Sequence, residues 1–278
     1  MAPARRAVQF LAALGWNCAF LLGQPSLTGL YRGPLKTACC PGLNCYACPY
    51  AAVSCPLGAL QNFIAVGSYH FSLYLGGFLL AVGGGLGRMV CGWLCPFGLF
   101  QELLHRIPSP VFPFPRRLRH LRWPVTAVLI VLVPLILEKP GYCAWLCPAG
   151  ALEGGVPFFL FDPRIRDLAG IVFGLKLAIL AAFGLASVFW YRPFCQAACP
   201  LGLFYGFFNR TALVGLRLSR ENCTGCGACA EVCPMGLQPH RGGIDSGACV
   251  RCMRCVGRCP GGAISLGGPR RTTAATTR

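Results

Sequence analysis

Four stretches of the chain lack the alternation of apolar and polar positions that marks a surface helix. Residues 7–23, 63–86, 121–137 and 168–191 are apolar on nearly every side. A helix of that kind is buried either in a large core or in lipid. Each run is close to the ~17–25 residues that cross a bilayer, and four such runs are too many for the core of so short a chain. The pattern predicts an all-α membrane domain of four transmembrane helices over residues 1–212. The run at 7–23 follows Arg5 and Arg6 as a cleaved leader would. No A-x-A cleavage site follows before Pro25, so it reads as the first span. Residues 213–268 break the pattern. They are short segments rich in Cys and Gly, with too little apolar sequence for a large core. Residues 269–278, PRRTTAATTR, read as a disordered tail.

Composition supports this division. Of 278 residues, 55% are hydrophobic and only 12% charged, against about 25% charged in a soluble domain. The formal net charge is +17, yet the basic residues form no single stripe, so nucleic-acid binding is not expected. They sort by side instead. Arg5, Arg6, Arg88, Arg106, Arg116, Arg117, Arg119 and Arg122 fall on one side of the predicted spans. Arg32, Lys36, Lys139, Arg164 and Arg166 fall on the other. The positive-inside rule then places both termini in the cytoplasm of a bacterial inner (cytoplasmic) membrane protein.

Twenty cysteines in this setting point to metal. Two runs carry the strongest signal: Cys223, Cys226, Cys229, Cys233 with Pro234, and Cys249, Cys252, Cys255, Cys259 with Pro260. Each is C-x2-C-x2-C-x3-C-P, the spacing of bacterial-type dicluster ferredoxins. There, three cysteines of a run hold one [4Fe–4S] cluster and the fourth crosses to the other. The expected sets are Cys223, Cys226, Cys229 with Cys259, and Cys249, Cys252, Cys255 with Cys233. Zinc modules pair C-x2-C units and lack the trailing Cys-Pro. The fold class is therefore membrane all-α (four transmembrane helices) with a small α+β dicluster ferredoxin domain. Its reduced thiolates agree with the cytoplasmic placement.

A second pattern repeats. Cys91-Gly-Trp-Leu-Cys95-Pro96-Phe-Gly-Leu-Phe follows the second span, and Cys195-Gln-Ala-Ala-Cys199-Pro200-Leu-Gly-Leu-Phe follows the fourth. Both copies of C-x3-C-P-x-G-L-F fall at the inner ends of their spans. The i, i+4 spacing sets each pair on one helical face, with Pro as the stop. Together they supply the four thiolates of one further [4Fe–4S] cluster. A third copy, Cys143-Ala-Trp-Leu-Cys147-Pro148, follows the third span. A degenerate partner ends in Cys55-Pro56 and has Ala51 where a cysteine is wanted, with Cys48 the nearest substitute. These fall on the outer side and suggest a fourth cluster at Cys48, Cys55, Cys143 and Cys147. Cys39, Cys40 and Cys45 remain rival ligands, and a disulfide is open to the surplus. An outer cluster would lie ~30 Å from the inner one, too far without a bridging quinone or partner cofactor. Cys18 reads as core.

These motifs, together with the four spans and the C-terminal dicluster unit, cover nearly the whole chain. It resembles the membrane iron–sulfur proteins typified by the quinol-dehydrogenase subunit that accompanies periplasmic nitrate reductase (NapH type). It is also similar to the C-terminal half of the nitrous-oxide-reductase accessory membrane protein (NosR type). The resemblance implies a quinol dehydrogenase subunit taking electrons from quinol to a redox protein partner. The block PGLNCYACP…CPLGALQ departs from the nitrate-reductase type and looks like a less characterised branch of membrane electron-transport proteins. Other classes stay open: a metal-handling assembly factor, disfavoured by only four Met and four His, and a redox-sensing membrane anchor.

Few residues suit proton or quinone chemistry. Glu102 and His105 share a helical face and are candidate proton acceptors, or a solvated interfacial pair. Lys176 reads as a snorkelling lysine. His70 is a core histidine, since no second intramembrane histidine pairs with it as a haem ligand. Phe204, Tyr205, Phe207 and Phe208 read as an interfacial anchor or a quinone pocket lining.

Overall fold

The computed structural model describes residues 2–22, 29–66, 73–167 and 169–268. His70 and the tail 269–278 lie outside them. The protein is mostly helical, with one small sheet near its C-terminus.

Helix α1 (Ala2–Trp16) turns Arg5 and Gln9 inward and leaves Phe10, Leu11 and Leu14 exposed. The residues of the second predicted span fall in α2 (Pro56–Val66) and α3 (Leu73–Leu86), apolar helices each too short to cross a bilayer, on either side of residues outside the description. Helix α4 (Pro96–Leu104) follows. Among the described residues, two helices are long and apolar enough to cross a membrane: α5 (Arg116–Leu137, 22 residues) and α6 (Ile171–Phe189, 19 residues). At 1.5 Å per residue they span about 33 and 28 Å, against a hydrocarbon core of ~30 Å. Few of their residues are buried, unlike the core helices of soluble proteins. Helix α5 widens into a π turn over Ala127–Leu132, just before Pro134. A regular α-helix would set the proline ring against the carbonyl of residue 130, and the wider turn relieves this. Helix α7 (Pro200–Phe207) closes the helical part.

The Cys-Pro steps behave differently from expectation. The proline does not stop a helix but starts one. Pro96, Pro148 and Pro200 each stand at a first helical position, where the missing N–H costs nothing. The preceding cysteine is the extended cap residue. The Sγ atoms of Cys147 and Cys199 accept N–H bonds from Gly150 and Gly202 at 3.4 and 3.3 Å. Each C-x3-C pair thus bridges a helix break rather than lining one helical face.

The C-terminal unit is closed by antiparallel strands β1 (Gly215–Leu218) and β2 (Ile264–Gly267), with Gly215 opposite Gly267. Leu216, Ile244, Met253 and Ile264 form its core with Cys229 and Cys255. Its two cysteine loops are conformational copies. Gly225 and Gly227 have positive φ in the first, Arg251 and Met253 in the second. The left-handed region costs a side chain roughly 1–2 kcal/mol, and Arg251 is held there by its partners. Its guanidinium donates to the carbonyls of Leu86, Val214 and Asn209.

This unit is docked tightly on the helices. Arg88, fully buried, donates to the carbonyls of Gly247 (2.6 Å) and Cys195 (2.9 Å). Asn209 donates to the carbonyls of Ser246 and Cys249, both at 2.8 Å. Trp93 donates to the Arg251 carbonyl at 3.1 Å. A Cβ on Gly92 would collide with the Val250 carbonyl oxygen, so glycine is required where the two cysteine loops touch.

Candidate metal centres

The structure gathers the cysteines into four groups. Cys223, Cys226, Cys229 and Cys259 line one small cavity of the C-terminal unit. Cys233, Cys249, Cys252 and Cys255 line a second. Both groupings have the crossed membership that the duplicated spacing suggests: one cysteine of each run faces the other run's site.

Cys91, Cys95, Cys195 and Cys199 form the third group, all buried. The Gln101 amide donates to the Cys195 Sγ at 3.2 Å while its Oε1 accepts from the Phe194 N–H. Burial pushes the Cys95 thiol up to about 12, and the neighbouring Cys195 and Cys91 add to it. Thiolates are the metal-binding form, so metal binding at this group is coupled to proton release.

The fourth group is Cys45, Cys55, Cys143 and Cys147, which line a cavity of about 380 Å³. Cys48 does not line it. That residue is buried apart, its Sγ 3.8 Å from the Asn17 Oδ1. Cys39 and Cys40 lie next to Ser54. Cys18 is half-buried, and its thiol donates to the Gly15 carbonyl of its own turn. All twenty thiols are free.

The third and fourth groups are neighbours in the fold. Tyr142, fully buried, adjoins Cys143 and Cys147 and donates to the Ala198 carbonyl at 3.4 Å. Gly42 packs against Cys95, its Cβ position 3.0 Å from the Cys95 Cα. On α6, Lys176 lines the fourth cavity, and Phe183 stacks edge-on against Phe194, beside Cys195, at 5.2 Å. Those two α6 positions are about 10 Å apart along the axis. The expected ~30 Å separation is therefore overturned. The reason is that the Cys-Pro helices are short and re-enter the core.

Three further expectations change. Glu102 is no proton acceptor. It is buried and paired with Arg5 (2.6 Å) and Arg192 (2.8 Å), and it accepts from the Tyr191 hydroxyl. Burial pushes its carboxyl up, but Arg192, Arg5 and Tyr191 outweigh this and hold it at about 2. His105 is separate, its Nδ1 3.0 Å from the Ser187 carbonyl. Lys176 faces the cavity rather than the surface. Tyr205 is fully buried among the cysteines, not interfacial, while Phe207 stays exposed. Sequence reasoning missed Arg88, Arg192, Arg251, Gln61 and Gln101. The glutamines were detectable, since both stand six residues after a Cys-Pro cysteine.

Family comparison supports iron–sulfur binding. A 4Fe-4S binding domain matches residues 70–115 and 119–159, a 4Fe-4S dicluster domain matches 193–237, and a 4Fe-4S binding domain matches 243–265. An uncharacterised protein of Methanocaldococcus jannaschii is 28% identical over 76% of this chain and 85% of its own. The methylamine utilization ferredoxin-type protein MauN of Methylorubrum extorquens is 29% identical over 85% of this chain and 74% of its own. The regulatory protein NosR of Stutzerimonas stutzeri is 26% identical over 59% of this chain, a match covering 22% of NosR. The chain carries 4Fe-4S binding and dicluster domains and is similar to iron–sulfur electron-transport proteins, MauN and NosR among them. No solved structure matches the chain.

The residues present fit such clusters. Each group offers four soft thiolate donors, with N–H groups directed at sulfur. Among the described residues, no three Cys, His, Asp or Glu are drawn close enough for a single ion, whereas a cubane spans a wider set of ligands.

Proposed function

We propose that this protein is a membrane-bound electron carrier that passes electrons between the quinone pool and a redox protein partner through [4Fe–4S] clusters. The observation that carries this reading is the continuity of the cysteine groups. Cys55, Cys91, Cys95, Cys147 and Cys199 share one core, against which Cys233 and Cys252 pack. Cys229 and Cys255 share the next. The proposed ligand sets are Cys223, Cys226, Cys229 and Cys259; Cys233, Cys249, Cys252 and Cys255; and Cys91, Cys95, Cys195 and Cys199. The clusters supply reversible one-electron storage. The chain supplies their spacing, their dryness and their hydrogen bonds.

Membrane residence is supported by α5, α6 and a broad exposed apolar surface, including Leu73, Leu135, Ile136 and Ile171. We read 1–212 as a four-span domain, with α1 the core of the first span and α2 and α3 parts of the second. The ferredoxin unit, 213–268, lies on the cytoplasmic side with both termini. Exposed Arg106, Arg116 and Arg117 support that side.

The quinone reading is supported by a cavity of about 670 Å³ between the 105–113 loop and the ferredoxin unit. His105 and Phe112 line one wall and Cys233 and Cys252 the other. A carbonyl can only accept, so His105 donates through Nδ1 to Ser187, which leaves Nε2 as the ring nitrogen open to a ligand. Quinol oxidation releases two electrons and two protons. His105 Nε2 would take the first proton and water the second, and a cluster held by Cys233 and Cys252 would supply the one-electron acceptor.

The test uses full-length protein purified anaerobically and placed in liposomes. A short-chain quinol should bleach the visible cluster absorbance, and His105→Gln should slow this while dithionite bleaches both proteins equally. No bleaching by quinol, with full bleaching by dithionite, would refute the quinone assignment.

A further inference from the structure

We infer that Cys45, Cys55, Cys143 and Cys147 hold a fourth [4Fe–4S] cluster, built as a copy of the Cys91/Cys95/Cys195/Cys199 site, with Cys45 replacing a lost ligand. The inference rests on reading that latter site as a cluster site.

The two sites match bond for bond. Cys55-Pro56-Leu57-Gly58-Ala59-Leu60-Gln61 aligns with Cys95-Pro96-Phe97-Gly98-Leu99-Phe100-Gln101. Gln61 donates to the Cys143 Sγ at 3.2 Å, as Gln101 does to Cys195 at 3.2 Å. The Gln61 Oε1 accepts from the Tyr142 N–H, as the Gln101 Oε1 does from the Phe194 N–H. Gly150 N–H donates to Cys147 as Gly202 N–H does to Cys199. So Cys55 answers to Cys95, Cys143 to Cys195 and Cys147 to Cys199. The position answering to Cys91 is Ala51, a buried methyl that ligates nothing.

Cys45 fills that place from a different direction. Its Sγ stands 3.6 Å from the Cβ position of Gly150, which is itself 3.8 Å from the Cys147 Sγ, and 3.5 Å from that of Gly154. These distances are ordinary van der Waals contacts and set the Cys45 and Cys147 sulfurs on either side of one glycine. The Cys45 loop is fixed by its own N–H, which donates to the half-buried Glu153 Oε2 at 2.6 Å. Lys176 lines the cavity and offsets the net negative charge of four thiolates on a cubane core. Cys48, the nearer substitute in sequence, faces away.

The experiment is iron and acid-labile sulfide per chain in anaerobically purified full-length protein, read with the EPR of the dithionite-reduced sample. The wild type should hold about sixteen irons. Cys45→Ser should fall to about twelve and lose one cubane signal with the ferredoxin signals intact. Cys48→Ser should stay at about sixteen. Cys143→Ser, chosen in case the Cys45 variant misfolds, should match Cys45→Ser. The inference is overturned if Cys48→Ser loses the cluster and Cys45→Ser does not. It is also overturned by a wild type with about twelve irons that Cys45→Ser leaves unchanged, or with one zinc that Cys45→Ser removes. Those results leave the Cys91-set reading standing. A wild type with about eight irons would remove that underlying reading as well.

Discussion

Replacing Glu102 by Gln tests how the helical core is held. Glu102 is 6% exposed, Arg5 1% and Arg192 0%, so neither guanidinium finds water when the carboxylate is lost. Removing one partner of a buried ion pair costs about 3–5 kcal/mol, because the remaining charge is stranded. The carboxyl offers an independent figure. It stands at about 2 against an ordinary 4.5, which corresponds to about 3 kcal/mol of stabilisation. Because the folded value is depressed, that stabilisation is complete above about pH 4.5 and fades as pH falls toward 2. It is constant across neutral pH. The variant should therefore melt about 10 °C lower at pH 7, followed by tryptophan fluorescence in detergent under anaerobic conditions. Adding Arg5→Met should recover part of the loss, since one stranded charge goes. A shift under about 2 °C would refute the buried-network argument. An unchanged melt with loss of quinol-driven reduction alone would make Glu102 a proton acceptor after all.

Three further outcomes are expected. Gly92→Ala should push the ferredoxin unit off the Cys91 loop, leaving iron content intact while electron transfer between the two slows at least tenfold in stopped-flow reduction. Iron chelation should unfold residues 213–268, whose core is built around Cys229 and Cys255, with loss of strand signal in circular dichroism. Phe112→Ala should weaken capture of a photoreactive short-chain quinone several-fold while dithionite-reducible cluster content stays unchanged.

The ferredoxin unit was legible because its ligands are local. A C-x2-C-x2-C-x3-C-P run fixes three sulfurs within one loop, and only the crossing fourth depends on tertiary structure. The Cys91 and Cys195 pairs were legible for a different reason, the repetition of a ten-residue pattern. The fourth group was only half legible. Three of its members belong to the repeat, but Cys45 lies ten residues before Cys55 in a loop without periodicity. Proximity in sequence favoured Cys48, while the carboxylate of Glu153, 108 residues away, selects Cys45. Glu102 and His105 were misjudged because helical spacing reports a shared face and not what is packed against it. The two arginines that hold Glu102 come from α1 and from the turn after α6.

The arginines carry a second lesson. Arg5 and Arg88 were counted as markers of the cytoplasmic side, yet both are buried and bonded to backbone within the cysteine core. Arg5 donates to the Gly92 carbonyl and Arg88 to that of Cys195. Arg192, which the charge count had not used, donates to the Cys91 carbonyl. Three guanidiniums therefore surround one four-cysteine site. Burying a charged cluster disfavours its reduced, more negative state, and nearby fixed positive charge opposes that bias. The Cys223 group lacks this shell, and its Cys226 is exposed to water. The same two effects, burial and arginine, thus act in different proportion on successive sites. On the proposed reading, a chain of identical thiolate ligands acquires a gradient of reduction potential from these three arginines, two of which share their charge with Glu102.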